Sequence, residues 1–326
     1  MIRVMLLGLF TCLLVACGEP AMFTSTEKHQ FSDALVLDGQ ISADAKQVML
    51  LIEGPNLAVW RTHDKQIVMT LNEEQLPAKV RAISLSERAK LLIVAGDNSV
   101  QLWHSLSGKL LGTIDLYAVD ELARVSALTT RKDGSEIAVG FTDGSVALFD
   151  YENKKMKQFM PHSSNIMAIE FYQNKIITGS HDGSVKAWDA HTGTTQYQRQ
   201  YTSRLSSLAL SADKQQLFVA DGLKTQQVLL AENGEVASEL TYISRFKWFR
   251  QALFIPNSNY LVTSTPKSEL NVWETSLGKE QVSWQIDSHS MGTTLLDMVI
   301  INNELITLSS EGVIEVWPLM SILTQL

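Results

Sequence analysis

Cysteine is almost absent from this chain. There are two in 326 residues, Cys12 and Cys17, both near the amino terminus. Everything downstream therefore holds no disulfide framework and no thiolate metal site. Positive charge is also scarce: 27 Lys and Arg stand against 35 Asp and Glu, a net charge of −8. That balance argues against nucleic acid and against electrostatic adhesion to anionic lipid. The seven histidines, at 29, 63, 104, 162, 181, 191 and 289, are scattered with no metal-ligand spacing. No G-x-S-x-G elbow, H-E-x-x-H pair, phosphate loop or calcium loop is present. The residues thus call for no metal and no cofactor. Long amphipathic helices are missing as well after the first twenty residues.

What is present begins at the amino terminus. Met1–Cys17 reads MIRVMLLGLFTCLLVAC. Arg3 and the free amine form a short positive region. The apolar run Val4 to Ala16 is too short to cross a bilayer as a helix, the layout of a cleaved secretory signal. Leu14-Val15-Ala16-Cys17 resembles the lipobox of bacterial lipoproteins. In that family the cysteine is diacylated, the preceding peptide is removed, and the new amine is acylated. The resemblance implies a signal peptide at residues 1–16, lipidation of Cys17 and a tether at residues 17–26. Cys12 is discarded with the signal. An aspartate after the cysteine tends to retain such proteins at the inner membrane. Gly18 stands there instead, so the expected location is the periplasmic side of the outer membrane. Several acyl chains hold far better than one, since each buried methylene adds about 0.8 kcal/mol.

The rest of the chain repeats. Two or three alternating apolar residues lead to a bulky aromatic at Trp60, Trp103, Phe149, Trp188, Trp273 and Trp317. The spacing is about 43 residues, with a double gap between Trp188 and Trp273. A degenerate copy fills that gap, with Leu229 in the aromatic position ahead of Ala231-Glu232-Asn233-Gly234. Each unit reads as four short strands. In the third, Arg124 to Thr130, Glu136 to Phe141, Val146 to Asp150 and Met156 to Met160 are separated by turns, two of them holding Asp133-Gly134 and Asp143-Gly144. Asp-Gly between apolar runs marks a hairpin, because glycine accepts the positive φ of a tight turn.

These units resemble WD40 repeats, and seven of them imply an all-β, seven-bladed β-propeller of four-stranded antiparallel blades over residues 27–326. The weak fifth copy leaves six- and eight-bladed rings as alternatives. The best copy runs from Pro161 to Asp189, with Trp188-Asp189 matching the naming dipeptide. In the family a His, a Ser or Thr, an Asp and the Trp form a hydrogen-bonded tetrad. The matching residues are His162, Thr178 or Ser180, Asp182 and Trp188. The aspartate recurs as Asp97 and Asp143, and Glu311 replaces it in the last unit, with His289 before it. Few residues follow Trp317, whereas Glu27 to Phe31 lies at the offset of a missing outer strand. N-terminal residues are therefore expected to close the ring beside Ile314 to Trp317.

Ser180-His181-Asp182 invites a catalytic-triad reading, but three consecutive residues at a strand end cannot adopt triad geometry. Proteins of the WD40 family bind partners through the face formed by their d–a and b–c loops. On that face Arg245-Phe246-Lys247-Trp248 stands out, because arginine and aromatics dominate binding hot spots. Tyr117 and Tyr242 are weaker candidates. The expectation is a lipid-anchored periplasmic interaction scaffold, non-enzymatic and monomeric outside its complex, serving envelope assembly or maintenance. Its partners would be envelope proteins, and acyl chains would make its membrane contact. The alternative is a propeller enzyme, a hydrolase or quinone-dependent dehydrogenase, with its site at the central channel.

Overall fold

The computed structural model describes residues 23–324 apart from 55, 87–89, 242–247, 288, 289 and 291. Within them, 28 strands form seven four-stranded antiparallel sheets. A short helix, Leu319–Leu323, follows the last strand. Each sheet is one blade, and its strands a to d run outward from the central channel. Blade three has strands Val125–Thr130, Glu136–Phe141, Val146–Asp150 and Lys155–Phe159. The repeat count is therefore seven, and the six- and eight-bladed alternatives fall away.

Burial explains the sequence pattern. A blade packs between two neighbours, so its inner strands are covered on both faces. Strand b of blade two, Leu91–Ala95, is buried at all five positions and reads as a continuous apolar run. Outer strands face water, and Lys155–Phe159 is almost wholly exposed. Seven separate apolar cores result, one per junction. The core between blades three and four joins Leu148 and Ala138 to Phe171, Ile176 and Trp188.

Trp60, Trp103, Trp188, Trp273 and Trp317 occupy equivalent places on third strands. They lie opposite Val48, Leu92, Ile176, Leu261 and Leu305 on strand b. Phe149 faces Ile137 and Leu229 faces Leu217 in the same register. A register shift falls just before Leu229, as it does before Trp188 and Trp273. Leu229 thus keeps the backbone geometry of a tryptophan position without the ring.

The amino terminus closes the ring. Glu27–Gln30 is the outer strand of blade seven, pairing Glu27 with Val316 and Gln30 with Val313. Phe31 N then donates to Gly312 O at the b–c turn. The strand therefore starts at the face of the a–b and c–d turns and ends at the opposite face of d–a loops and b–c turns. Lys28 on this strand lies 3.6 Å from Glu315, a carboxylate on strand c that is only 1% exposed. Burial pushes Glu315 up to about 7, opposed by the Asp287 amide and Lys28. Phe31 rests edge-on against Trp60, and Phe23 against Trp284.

Candidate interaction face

Loops on the d–a and b–c face are held by carboxylates at the b–c turns, most completely in blade four. Trp188 Nε1 donates to Thr178 Oγ1 at 3.1 Å, and Thr178 lies 2.8 Å from His162 Nε2. His162 Nδ1 lies 3.0 Å from both Asp182 Oδ2 and Ser184 Oγ. The ionised Asp182 carboxylate can only accept, so Nδ1 carries the proton toward it and Nε2 accepts from the Thr178 hydroxyl. Burial holds the His162 pKa below the usual imidazole value despite Asp182, so the ring is neutral at pH 7. The Asp182 pKa is lowered as well. Burial disfavours its charge, but hydrogen bonds from Ser184 and the nearby His162 outweigh it and hold the carboxyl below its usual range. Of the two hydroxyls considered from sequence, Thr178 takes the position between histidine and tryptophan. Ser180 Oγ instead donates to Ser164 O. Ser184, whose amide and hydroxyl both donate to Asp182 Oδ1, is the member that sequence reasoning missed.

Other blades keep parts of this device. Trp273 bonds Thr263 at 2.8 Å and Trp317 bonds Thr307 at 3.1 Å, with no histidine joining either pair among the described residues. Asp143 accepts the Asp120 amide, and Glu311 accepts the Ser290 amide and the Thr293 hydroxyl. In blade two, Asp97 receives Arg81 Nε at 2.6 Å. His289 lies outside the described residues. The shared element is thus an acid that pins the loop entering its own blade. Gly144, at φ 91°, shows how closely loops approach: a Cβ there would sit 2.4 Å from His162 O.

The Arg245-Phe246-Lys247 part of the loop into blade six, and Tyr242, lie outside the described residues. Trp248 is 41% exposed and half engaged: Nε1 donates to Gly222 O at 2.6 Å, and the Arg204 guanidinium lies 5.5 Å from its ring. Phe249 is buried between Phe218 and Trp273.

More exposed is the loop into blade three, residues 116–124. Tyr117, Val119 and Leu122 are 67%, 61% and 78% exposed. Their backbone is nevertheless fixed from beneath. Asp143 takes the Asp120 amide and Thr142 Oγ1 the Arg124 amide. Gln158 Nε2 donates to Tyr117 O at 2.6 Å. The Arg124 guanidinium reaches the carbonyls of Leu122 at 2.8 Å and Ala123 at 3.0 Å. Arg124 Nε also lies 3.7 Å from Asp97, linking this loop to blade two. Apolar side chains held out toward water on an ordered backbone are a preorganised contact surface, with little ordering left to do on binding.

Around the central channel, Asp38, Glu170 and Asp297 come from the inner strands of blades one, four and seven. They are half-buried on the channel wall. Burial pushes Asp297 and Glu170 each up to about 7. Asp297 Oδ2 accepts the Ile41 amide of blade one and Oδ1 accepts the Met298 amide, which makes it a tie between blades. Among the described residues, no group of three or more His, Cys, Asp or Glu is placed to hold a metal.

The family model for the N-terminal β-propeller domain described as nucleolar protein 10-like matches residues 65–230, from the end of blade one through strand c of blade five. The chain belongs to this family of β-propellers. Curated relatives carry the same repeat. Human NACHT domain- and WD repeat-containing protein 1 is 24% identical over 42% of this chain and 9% of its own length. Angio-associated migratory cell protein from dog is 23% identical over 56% of the chain and 46% of its length. Target of rapamycin complex subunit wat1 from Schizosaccharomyces pombe is 22% identical over 61% and 65%. The chain thus spans less than two thirds of each of these relatives.

Proposed function

We propose that this propeller is a lipid-anchored, periplasmic protein-interaction scaffold of the outer membrane, tethered through Cys17 and binding envelope proteins on its d–a and b–c loop face. The observation that carries the reading is the loop at 116–124, where three exposed apolar side chains stand on a backbone anchored from below. Among the relatives, wat1 is by name a complex subunit, in keeping with a binding role. The chain direction of the closing strand supports the arrangement. It enters blade seven at the a–b and c–d face, so a tether there would turn the loop face away from the bilayer. Ten residues, 17–26, reach at most about 35 Å fully extended, which would keep the disc close to its membrane.

The function is binding rather than catalysis. The channel carboxylates favour the enzyme alternative most, yet both Asp297 oxygens are already taken by backbone amides. A photo-crosslinking amino acid at position 122, in intact cells, should capture envelope proteins. The same group at position 277, a 64% exposed leucine on a c–d turn, should not. Equal capture at both positions, or at neither, would refute the assignment of the loop face.

A further inference from the structure

The loop face is electrically polarised, and its two poles coincide with its two apolar sites. Around Trp248, the loops of blades five and six expose Arg204, Lys224, Arg250 and Lys267. Around Tyr117 and Leu122 the sign is reversed. Asp115, Asp120 and Glu121 are exposed beside the apolar side chains, and Asp143 lies beneath them. Burial disfavours the Asp143 charge, but the Ser145 hydroxyl and the amides of Asp120, Ser145 and Val119 outweigh it, so the carboxyl stays ionised. Two cations of the same sector are engaged: Arg81 and Arg124 both turn to Asp97, at 2.6 and 3.7 Å. Among the described residues, no ion pair involves Asp115, Asp120, Glu121 or Asp143.

We infer that the 116–124 loop docks a basic segment of a partner protein, one in which Lys or Arg flanks an aromatic or aliphatic anchor. This rests on the scaffold reading above and adds the chemistry of the partner. Apolar side chains at 61–78% exposure offer contact area for the anchor. Met160, 53% exposed, widens that area at the end of strand d of blade three, where Gln158 binds Tyr117 O. The surrounding carboxylates select the sign of the flanking charges, steering association and rejecting acidic segments by like-charge repulsion. The negative charge of the loop also disfavours an anionic membrane surface as the occupant.

The test is to pan a random dodecapeptide phage library on the immobilised full-length protein and score each clone against surface variants. Clones that lose binding to Leu122→Ser define the occupants of this loop. They should carry Lys or Arg around an apolar residue, and they should bind Asp115→Lys with Glu121→Lys about tenfold or more weakly. Their binding should also fall as salt is raised. Because the altered side chains are exposed, the melting temperature should not move. Leu122-dependent clones that are neutral or acidic, or indifferent to the charge reversal, would overturn the basic-segment proposal and leave the scaffold reading standing. Finding no Leu122-dependent clones would overturn both. Leu122-dependent binding of phosphatidylglycerol vesicles would replace the protein segment with a membrane surface and overturn the proposal.

Discussion

Thr178→Val is the sharpest probe of what holds the loops in place. The side chain is fully buried, and valine keeps its shape while removing the hydroxyl. Two groups then lose their partner at once: the Trp188 indole N–H, 3.1 Å away, and His162 Nε2, 2.8 Å away. A buried polar group left unsatisfied costs about 1–3 kcal/mol, so the double loss should cost about 2–6 kcal/mol. Blade six supplies the internal control. Thr263 is equally buried, but among the described residues its Oγ1 serves a single partner, Trp273 Nε1, at 2.8 Å. Thr263→Val should therefore cost about 1–3 kcal/mol, half the Thr178→Val loss. The difference between the two variants isolates the histidine side of the network. Equilibrium urea unfolding at pH 7.5 measures both, with unchanged m values showing that the states compared are the same. Equal losses in the two blades, or a Thr178→Val loss under about 0.5 kcal/mol, would mean that the His162 link contributes nothing to stability.

Cys17→Ser should abolish incorporation of labelled palmitate and block signal processing; cleavage at an unchanged bond would point to an ordinary signal peptide. Lys28→Ala should destabilise the protein at pH 8.5 and have little effect at pH 5, because Glu315, with its pKa near 7, carries a proton at the lower pH and no longer needs the ammonium; thermal melts at the two pH values decide this. Asp297, Glu170 and Glu315 all have folded-state pKa values near 7, above their ordinary values. The folded state thus binds more protons, and these groups add stability in acid that is lost as pH rises toward and through 7. Asp297→Asn should accordingly flatten the fall in melting temperature between pH 5 and 8, and an unchanged slope would remove Asp297 from that account.

The blades were legible because their signals are local. A tryptophan at the end of an apolar alternation, and Asp-Gly between two such runs, mark strand c and the turns beside it without any tertiary knowledge. The fifth copy shows the limit of that signal: Leu229 lacks the ring, and its register opposite Leu217, with the register shift before it, shows the equivalence. The a–b turns were harder to read. Ala45, Gln173, Lys214 and Asn257 all adopt positive φ there, a conformation that neighbouring strands impose and the residue type does not announce. Loop exposure was not legible at all. Trp248 and Tyr117 look alike as aromatic loop residues, yet Gly222 and Arg204 partly cover the first, while Asp143, Thr142 and Arg124 hold the second loop from below. Those supports come from a neighbouring turn and from the loop's own far end, and no local pattern announces them.

Closure by residues 27–30 also imposes an order of events on biogenesis. The strand that completes blade seven is synthesised before the other blades, and its partner, Val313–Pro318, is synthesised after them. Until that partner arrives, both edges of the growing solenoid remain bare and able to pair with other chains. Sequential blades can form as the polypeptide emerges, since each hairpin is local, but the ring cannot shut before strand c of blade seven has been made. Contacts spanning the full chain length are the slowest kind to form. A tethered amino terminus would hold the early strand near the emerging end, shortening that search while the open form stays exposed to proteases and chaperones.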